Sequence, residues 1–359
     1  MKEREDSPMK VAYFTLPTAF NNFGGAEIQI LKTRQYIQNI SSDFNIKFFD
    51  IFRDKLQDFE IFHNFQMSPD CLGICKLAKK RGVKVAISPI FWTLRNPEKI
   101  TLSSQLVKLF MAYQNLTRYG LFTFQKLIPY KDFLDLSNII LPNSEMEASF
   151  LSSMFRIEKN KFHVVPNGVE KKFAYATPDL FVKEYGLKDF ILYTGRIEPK
   201  KNVVNLLKAC RDLGAPVIVI GQKNMLYEEY CELFEKLIAS DRSFKYLGYL
   251  PFDSEMIASA YAAAKVFVMP SLFETPSLSA LEAGLAGCNI VITRGGSTTE
   301  YFKNLVRYVN PISSPKSIRK EIAESLEMPK TTKLRELILA SYTWDVVAEK
   351  TIEAYTSIG

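Results

Sequence analysis

Two glutamates, Glu274 and Glu282, stand eight residues apart in the stretch SLFETPSLSALEAGLAG, Ser271 to Gly287. The run before it, AKVFVMP, is apolar and β-branched enough to be a buried strand that Pro270 stops. A strand therefore feeds a loop and the loop feeds a small-residue helix. That order puts Glu274 where a parallel sheet ends and Glu282 roughly one turn into the helix, and ligands of open α/β sheets gather at such carboxyl ends. Glu282 is then placed to accept the two hydroxyls of a ribose, and Glu274 to reach sugar hydroxyls. The amides free at the helix start, including those of Ser277 and Leu278, face a sugar or a phosphate. The plain alternative for Glu282, an acid favoured near a helix start by the macrodipole, leaves its pairing with Glu274 unexplained.

Two cations complete the pattern. Arg196 and Lys201 lie five residues apart in YTGRIEPKKN, just beyond a strand, with Pro199 breaking the segment between them. Turned toward one ligand they would hold a diphosphate without a metal; turned outward they are ordinary solvated charges. A third piece is FGGAE, where Gly24 and Gly25 would let backbone amides approach a ligand at the positive end of the next helix. A glycine turn between strand and helix is equally often only structural. No G-x-G-x-x-G follows either first strand, which argues against a nicotinamide enzyme. No Asp-x-Asp occurs, the two histidines His63 and His163 are far apart, and the five cysteines are scattered, so no metal and no cofactor is expected beyond a nucleotide-bearing substrate.

These groups need sheets to carry them. At 359 residues the chain is longer than one hydrophobic core usually grows, which predicts two domains. Strands are predicted in KVAYFTLP, FNIKFFD, FEIFHNF, VKVAISPI and NIILPNS, then in DFILYTGRI, APVIVIGQ, FKYLGYL, KVFVMPS and CNIVITRGG, with helical stretches between them. Such alternation means α/β domains with parallel sheets. KFHVVPNGVE reads as a short strand followed by a boundary turn, giving domains at 1–168 and 169–340 and a terminal helix at 341–359. Residues 1–170 hold 22 Lys and Arg against 17 Asp and Glu, a mild basic bias that suits acidic small molecules or an anionic membrane face. It is too weak to indicate nucleic acid. Leu102, Leu106, Leu109, Tyr113 and Leu116 recur at helical spacing, either a core-facing helix or one lying on a membrane surface. KLAKKRG reads as cations at a helix C-terminus capped by Gly82. The charged start and the lack of an ~18-residue apolar run predict a cytoplasmic protein, with peripheral contact at the inner face of the membrane.

In their order, FGGAE, LPNS, VVPNGV, GRIEPKKN, VIVIG and PSLFETPSLSALEAGLAGCNIVITRGG resemble the retaining glycosyltransferases of family 4, from about Lys10 to the chain end. The resemblance implies the GT-B fold, two facing Rossmann-like domains with a cleft between them. It assigns Arg196 and Lys201 to the donor diphosphate, Glu282 to the ribose and Glu274 to the transferred sugar, with Gly25 beneath that sugar and the terminal helix crossing back to the first domain. Leu250, beside Tyr249, would border the base. Two departures stand out. Ser277 occupies a position where many relatives have glycine, so the turn must avoid a positive φ or carry strain. Where many relatives have a histidine near the reacting centre, this chain has Ser88, Pro89 and Ile90, then Phe91 and Trp92; with His63, Pro89 and Trp92 are the acceptor-side candidates, although a lone histidine such as His63 is more often structural.

The expected activity is therefore metal-independent, retaining transfer of a sugar from a nucleotide sugar to a hydroxyl of a glycan or lipid-linked acceptor. Glycan, lipopolysaccharide or exopolysaccharide assembly would be the setting. Two other readings keep the same donor cradle: a nucleotide-sugar epimerase, which should carry more acid and base groups than this histidine-poor chain, and a catalytically degenerate partner subunit, which the missing histidine favours.

Overall fold

The computed structural model describes residues 7–21, 24–91, 123–310 and 313–359, and these form two compact units, 1–168 with 344–359, and 169–343. Trp92 and the 102–116 stretch lie outside the described residues. The first unit is built on a parallel sheet of β1 (Met9–Phe14), β2 (Phe44–Phe48), β3 (Ile61–Phe65), β4 (Lys84–Ser88) and β5 (Ile139–Ile140), in the order β2-β1-β3-β4-β5. All five residues of β3 are buried, as a strand covered on both faces requires. The order reverses between β1 and β3, the kind of point at whose carboxyl ends open α/β sheets bind ligands.

The short strand expected within KFHVVPNGVE does not form; Phe162 makes only an isolated bridge to Ile140. Pro142 and Pro166 are the reason. Neither has an amide to donate to a ladder, and the segment instead gives the His163 amide to Ile140 and the Val165 amide to Pro142. In the Leu72–Lys80 helix, Lys79 and Lys80 occupy the last turn and Gly82 takes the left-handed conformation that ends it (φ 79°), the plain reading of KLAKKRG.

The terminal helix, Trp344–Thr356, packs on the Gly25–Ile40 helix of the first unit. Trp344, Val347, Ala348, Thr351, Ala354 and Tyr355 are buried along one face at helical spacing. Its end is fastened by a chain of polar side chains. The Tyr355 hydroxyl lies 2.6 Å from His63 Nδ1 and donates to the Tyr13 hydroxyl at 2.9 Å, while His63 Nε2 lies 2.9 Å from Ser88 Oγ. A neutral imidazole satisfies this chain if Nδ1–H donates to Tyr355 and Nε2 accepts from Ser88. His63 is 1% exposed and stacked on Phe65, and burial pushes its pKa down to about 3. It is therefore a structural histidine. Both ring nitrogens are engaged, which takes His63 out of the acceptor-side set.

The second unit carries β6 (Ile191–Thr194), β7 (Val217–Ile220), β8 (Phe244–Tyr246), β9 (Val266–Met269), β10 (Asn289–Thr293) and β11 (Arg307–Val309), in the order β11-β10-β9-β6-β7-β8 with every pair parallel. This is the doubly wound order of dinucleotide-binding sheets, reversing between β6 and β9. β6, β7 and β9 are buried at every position, β7 and β9 as unbroken apolar runs and β6 as one that ends in Thr194. β11 went unread in the sequence because RYV is three residues long, half-exposed and led by a charge.

Removing the Tyr355 hydroxyl as Tyr355→Phe should leave His63 Nδ1 and Tyr13 short of a partner inside the first unit. A loss of about 1–3 kcal/mol in unfolding free energy is expected from chemical denaturation. An unchanged denaturation midpoint would show that the chain of hydroxyls contributes nothing to holding the terminal helix.

Candidate donor site at the carboxyl end of the second sheet

The loops that leave β6 and β9 meet where the strand order reverses. Two hydrogen bonds tie them to each other, and two more tie the β9 loop to the loop after β10. Leu272 N–H donates to Lys200 C=O at 2.8 Å, Asn202 Nδ2 donates to Pro270 C=O at 3.0 Å, and Glu274 exchanges hydrogen bonds with the loop after β10, to Gly295 C=O at 3.0 Å and from Ser297 N–H at 3.1 Å. Asn202 sits in the left-handed region (φ 60°), which asparagine tolerates better than most side chains. Gly296 (φ 90°) is required by close approach, since a Cβ there would stand 2.0 Å from the Glu274 carbonyl oxygen.

These ties bring Lys201 Nζ to 2.7 Å from Glu274 Oε1, with the two side chains 16% and 4% exposed. Arg196 Nε lies 3.8 Å from Glu198 Oε2, and Lys200 Nζ 3.4 Å from Glu198 Oε1. Asn224 Nδ2, from the loop after β7, donates to Glu198 Oε2 at 2.9 Å. Burial opposes the Glu198 charge, but the Asn224 hydrogen bond and the charges of Arg196, Lys200 and Lys201 outweigh it and hold the carboxyl below its usual range. Three cations thus face two carboxylates, leaving one positive charge in excess. Arg196, Lys201 and Glu274 are brought together as their types suggested. Glu198 and Lys200 belong to the same cluster and were missed, although an acid embedded between three cations in GRIEPKK was a readable signal.

Glu282 is the fifth residue of the Leu278–Leu285 helix, about one turn in as expected and past the positions the macrodipole favours. It is half-buried, and its Oε2 accepts from the Tyr261 hydroxyl at 3.0 Å. Burial pushes its carboxyl up to about 7, against the lowering effects of Tyr261 and Lys172. Ser277 takes the strained alternative, φ 85°, and as N-cap its Oγ accepts from Ala280 N–H at 3.4 Å. The amides of Leu278 and Ser279 are among those a helix start leaves without an intrahelical acceptor. Leu250 follows β8 at the sheet edge, partly buried against the core, and Tyr249 is exposed.

In the first unit, Gly24 and Gly25 open the Gly25–Ile40 helix, but the Gly24 amide already donates to Glu27 Oε2 at 2.8 Å, and Glu27 is buried. The anion expected there is supplied by the chain's own carboxylate, a capping-box contact. Gly24 is extended (φ −162°), a conformation open to any residue. Pro89 ends β4, its carbonyl accepting from Met67 N–H at 3.3 Å. Ile90 follows at φ 45°, and Glu147 fixes the turn by accepting from Phe91 N–H and Asn143 N–H, each at 2.7 Å. Among the described residues, no three His, Cys, Asp or Glu side chains gather as a metal site.

Arg196, Lys201, Glu274 and Glu282 all fall within one matched segment. Residues 181–340 match the family model of glycosyl transferases, group 1. The chain is 27% identical over 240 residues to the O-antigen chain mannosyltransferase B of Escherichia coli, covering 62% of this chain and 61% of that protein. It spans between 55% and 61% of the length of the first curated relatives it matches. Among solved structures, the glycosyltransferase of Rickettsia africae superposes with a TM-score of 0.73 at 14% identity over 98% of each chain. Anabaena HepE, solved in complex with UDP and glucose, gives 0.68 at 13% identity over 97% of this chain and all of that one. Likeness at this identity establishes the fold, two parallel-sheet α/β units of the GT-B kind.

Ser277→Gly should relieve the positive φ while giving up a long N-cap hydrogen bond, a net stabilisation of about 1 kcal/mol. For units of this size that corresponds to a rise of roughly 2–4 °C in melting temperature, read by calorimetry. A lower melting temperature would mean that the cap outweighs the strain.

Proposed function

We propose that this chain is a metal-independent, retaining glycosyltransferase that moves a sugar from a nucleotide sugar to a hydroxyl of a glycan or lipid-linked acceptor. The observation that carries the reading is the clustering of Arg196, Lys201 and Glu274 at the β6/β9 reversal point, with Glu282 joined through the Tyr261 hydroxyl to Thr194 at the end of β6, all four inside the segment that matches the group 1 family. Arg196 and Lys201 hold the donor diphosphate and stabilise the negative charge it gathers as the bond to the sugar breaks. Glu282 accepts from the ribose hydroxyls and Glu274 from hydroxyls of the transferred sugar. The leaving diphosphate departs from the face on which the acceptor hydroxyl arrives, so the anomeric configuration is kept without an enzyme nucleophile.

The solved complex of Anabaena HepE with UDP and glucose supports a nucleotide-sugar donor, and the Escherichia coli O-antigen chain mannosyltransferase supports a glycan acceptor. Among the described residues no helix is long and apolar enough to cross a membrane. The proposed location is cytoplasmic, with a lipid-linked acceptor reached by peripheral contact at an anionic membrane face.

Release of nucleotide from a panel of nucleotide sugars, with a glycan or lipid-linked acceptor, tests the reading. Turnover should persist in excess chelator. Arg196→Ala and Lys201→Ala should each lose roughly 3 kcal/mol of transition-state stabilisation, about a hundredfold in rate. Because both cations act on one diphosphate, the double variant should lose less than the product of the single losses. Activity abolished by chelator and restored by magnesium or manganese would overturn metal independence.

A further inference from the structure

Glu282 is held from below by a residue that no motif marks. Tyr261 lies in the Glu255–Ala263 helix, 1% exposed, with its ring set edge-on against Phe173 and Phe267 at centroid distances of 5.8 and 5.9 Å. Its carbonyl accepts from Cys288 Sγ at 2.9 Å. The hydroxyl is 3.0 Å from Glu282 Oε2 and 2.8 Å from Thr194 Oγ1. We infer that Tyr261 is a positioning residue, which anchors the Glu282 carboxylate through Oε2 and leaves Oε1 to receive the ribose hydroxyls of a nucleoside diphosphate. The inference rests on the donor-site reading above.

A phenol has one proton, and this fixes the direction of the relay. With Glu282 ionised, Tyr261 must donate to it and Thr194 must donate to Tyr261. With Glu282 protonated the order can reverse, the carboxyl donating to Tyr261 and Tyr261 to Thr194. Thr194 is the last residue of β6, two before Arg196, and its carbonyl accepts from Ser279 Oγ at 3.4 Å. The relay therefore links the carboxylate meant for the ribose to the strand end that launches the diphosphate cations. An unanchored carboxylate would turn about its last bond and lose that freedom on binding two vicinal hydroxyls; the tyrosine removes the loss beforehand. The other charges near Glu282 are Lys172 and Glu170, which act on it in opposite senses. Arg335, on the Lys333–Ser341 helix packed beside it, spends its Nε on the Leu285 carbonyl. β9 and β10 present apolar side chains to the core that packs beneath it.

Burial already pushes Glu282 up to about 7, and the Tyr261 hydrogen bond works against that rise. Tyr261→Phe keeps the ring and removes the hydroxyl. Carboxyl carbon NMR of the full chain, with Glu282→Gln to assign the signal, should show the Glu282 midpoint moving upward in this variant without any ligand present. Calorimetry with UDP, GDP and ADP at pH 7 should show roughly tenfold weaker binding of whichever the wild type binds, with the deficit shrinking toward pH 9 as Glu282 ionises in both proteins. A merely structural tyrosine would leave the titration midpoint in place, and that result overturns the inference, as does a shifted midpoint with unchanged affinity. A wild-type chain that binds none of the three diphosphates, with the midpoint still shifting, would refute the donor-site reading rather than the Tyr261 contact. If Tyr261→Phe does not fold, Thr194→Val removes the donor behind Tyr261 and should give a smaller shift of the same sign; no shift there also overturns it.

Discussion

The second unit is organised around one ion pair, Lys201 with Glu274, formed at the point where its strand order reverses. The partners are 73 residues apart in sequence and each is largely withdrawn from water, so neither charge would be tolerable alone. A buried pair of this kind contributes little net stability, because desolvation offsets much of the attraction. Its value is positional. Removing either partner strands the other, which makes the geometry of the two loops mutually dependent.

The backbone is shaped to bring that pair together, and the local conformations it needs are ones most residues avoid. Asn202 and Ser277 sit at positive φ, and Gly221 and Gly296 occupy positions where a Cβ would fall about 2 Å from a carbonyl oxygen, of Gly195 and Glu274 respectively. Three of these positions are answered by a nearby hydrogen bond: Asn202 Nδ2 to Pro270, Ser277 Oγ from Ala280, and the Gly221 amide to Gly248. Strained backbone persists where surrounding contacts over-determine it, and Asn202 and Ser277 lie in the loops that carry the cations and carboxylates. The strands beneath, buried at every position, supply the rigidity against which those loops are braced.

What the sequence made legible follows from how local each signal is. Alternating apolar runs and turns announced ten of the strands, because a buried strand writes its environment into its own residues. The short β11 lacks that run, and the Lys161–Val165 segment has the right residues but is denied a ladder by the prolines around it. Arg196, Lys201, Glu274 and Glu282 were visible because charged residues beside strand ends are unusual in pattern. Tyr261 was invisible because a tyrosine in an alanine-rich helix reads as core, and its hydroxyl acquires a purpose only when Thr194 and Glu282 arrive from other elements. His63 shows the same limit from the other side: a lone histidine reads first as structural, but only the fold shows that Tyr355, 292 residues later, closes over it.

On the proposed reading, the ion pair also explains how diphosphate and sugar recognition are joined. Glu274 supplies the negative charge that Lys201 requires, and on this reading a phosphate oxygen of the donor takes over that role. A diphosphate brings more negative charge than one carboxylate, and the excess positive charge from Arg196, Lys200 and Lys201 favours the exchange. Once Lys201 turns to phosphate, Glu274 is left buried at 3% exposure with its acceptor oxygens unmet. The hydroxyls of the attached sugar are then the donors that restore its hydrogen bonds, so a nucleoside diphosphate alone leaves an unsatisfied carboxylate that the complete nucleotide sugar does not. Preference for the intact donor over its own leaving group follows from that single buried charge.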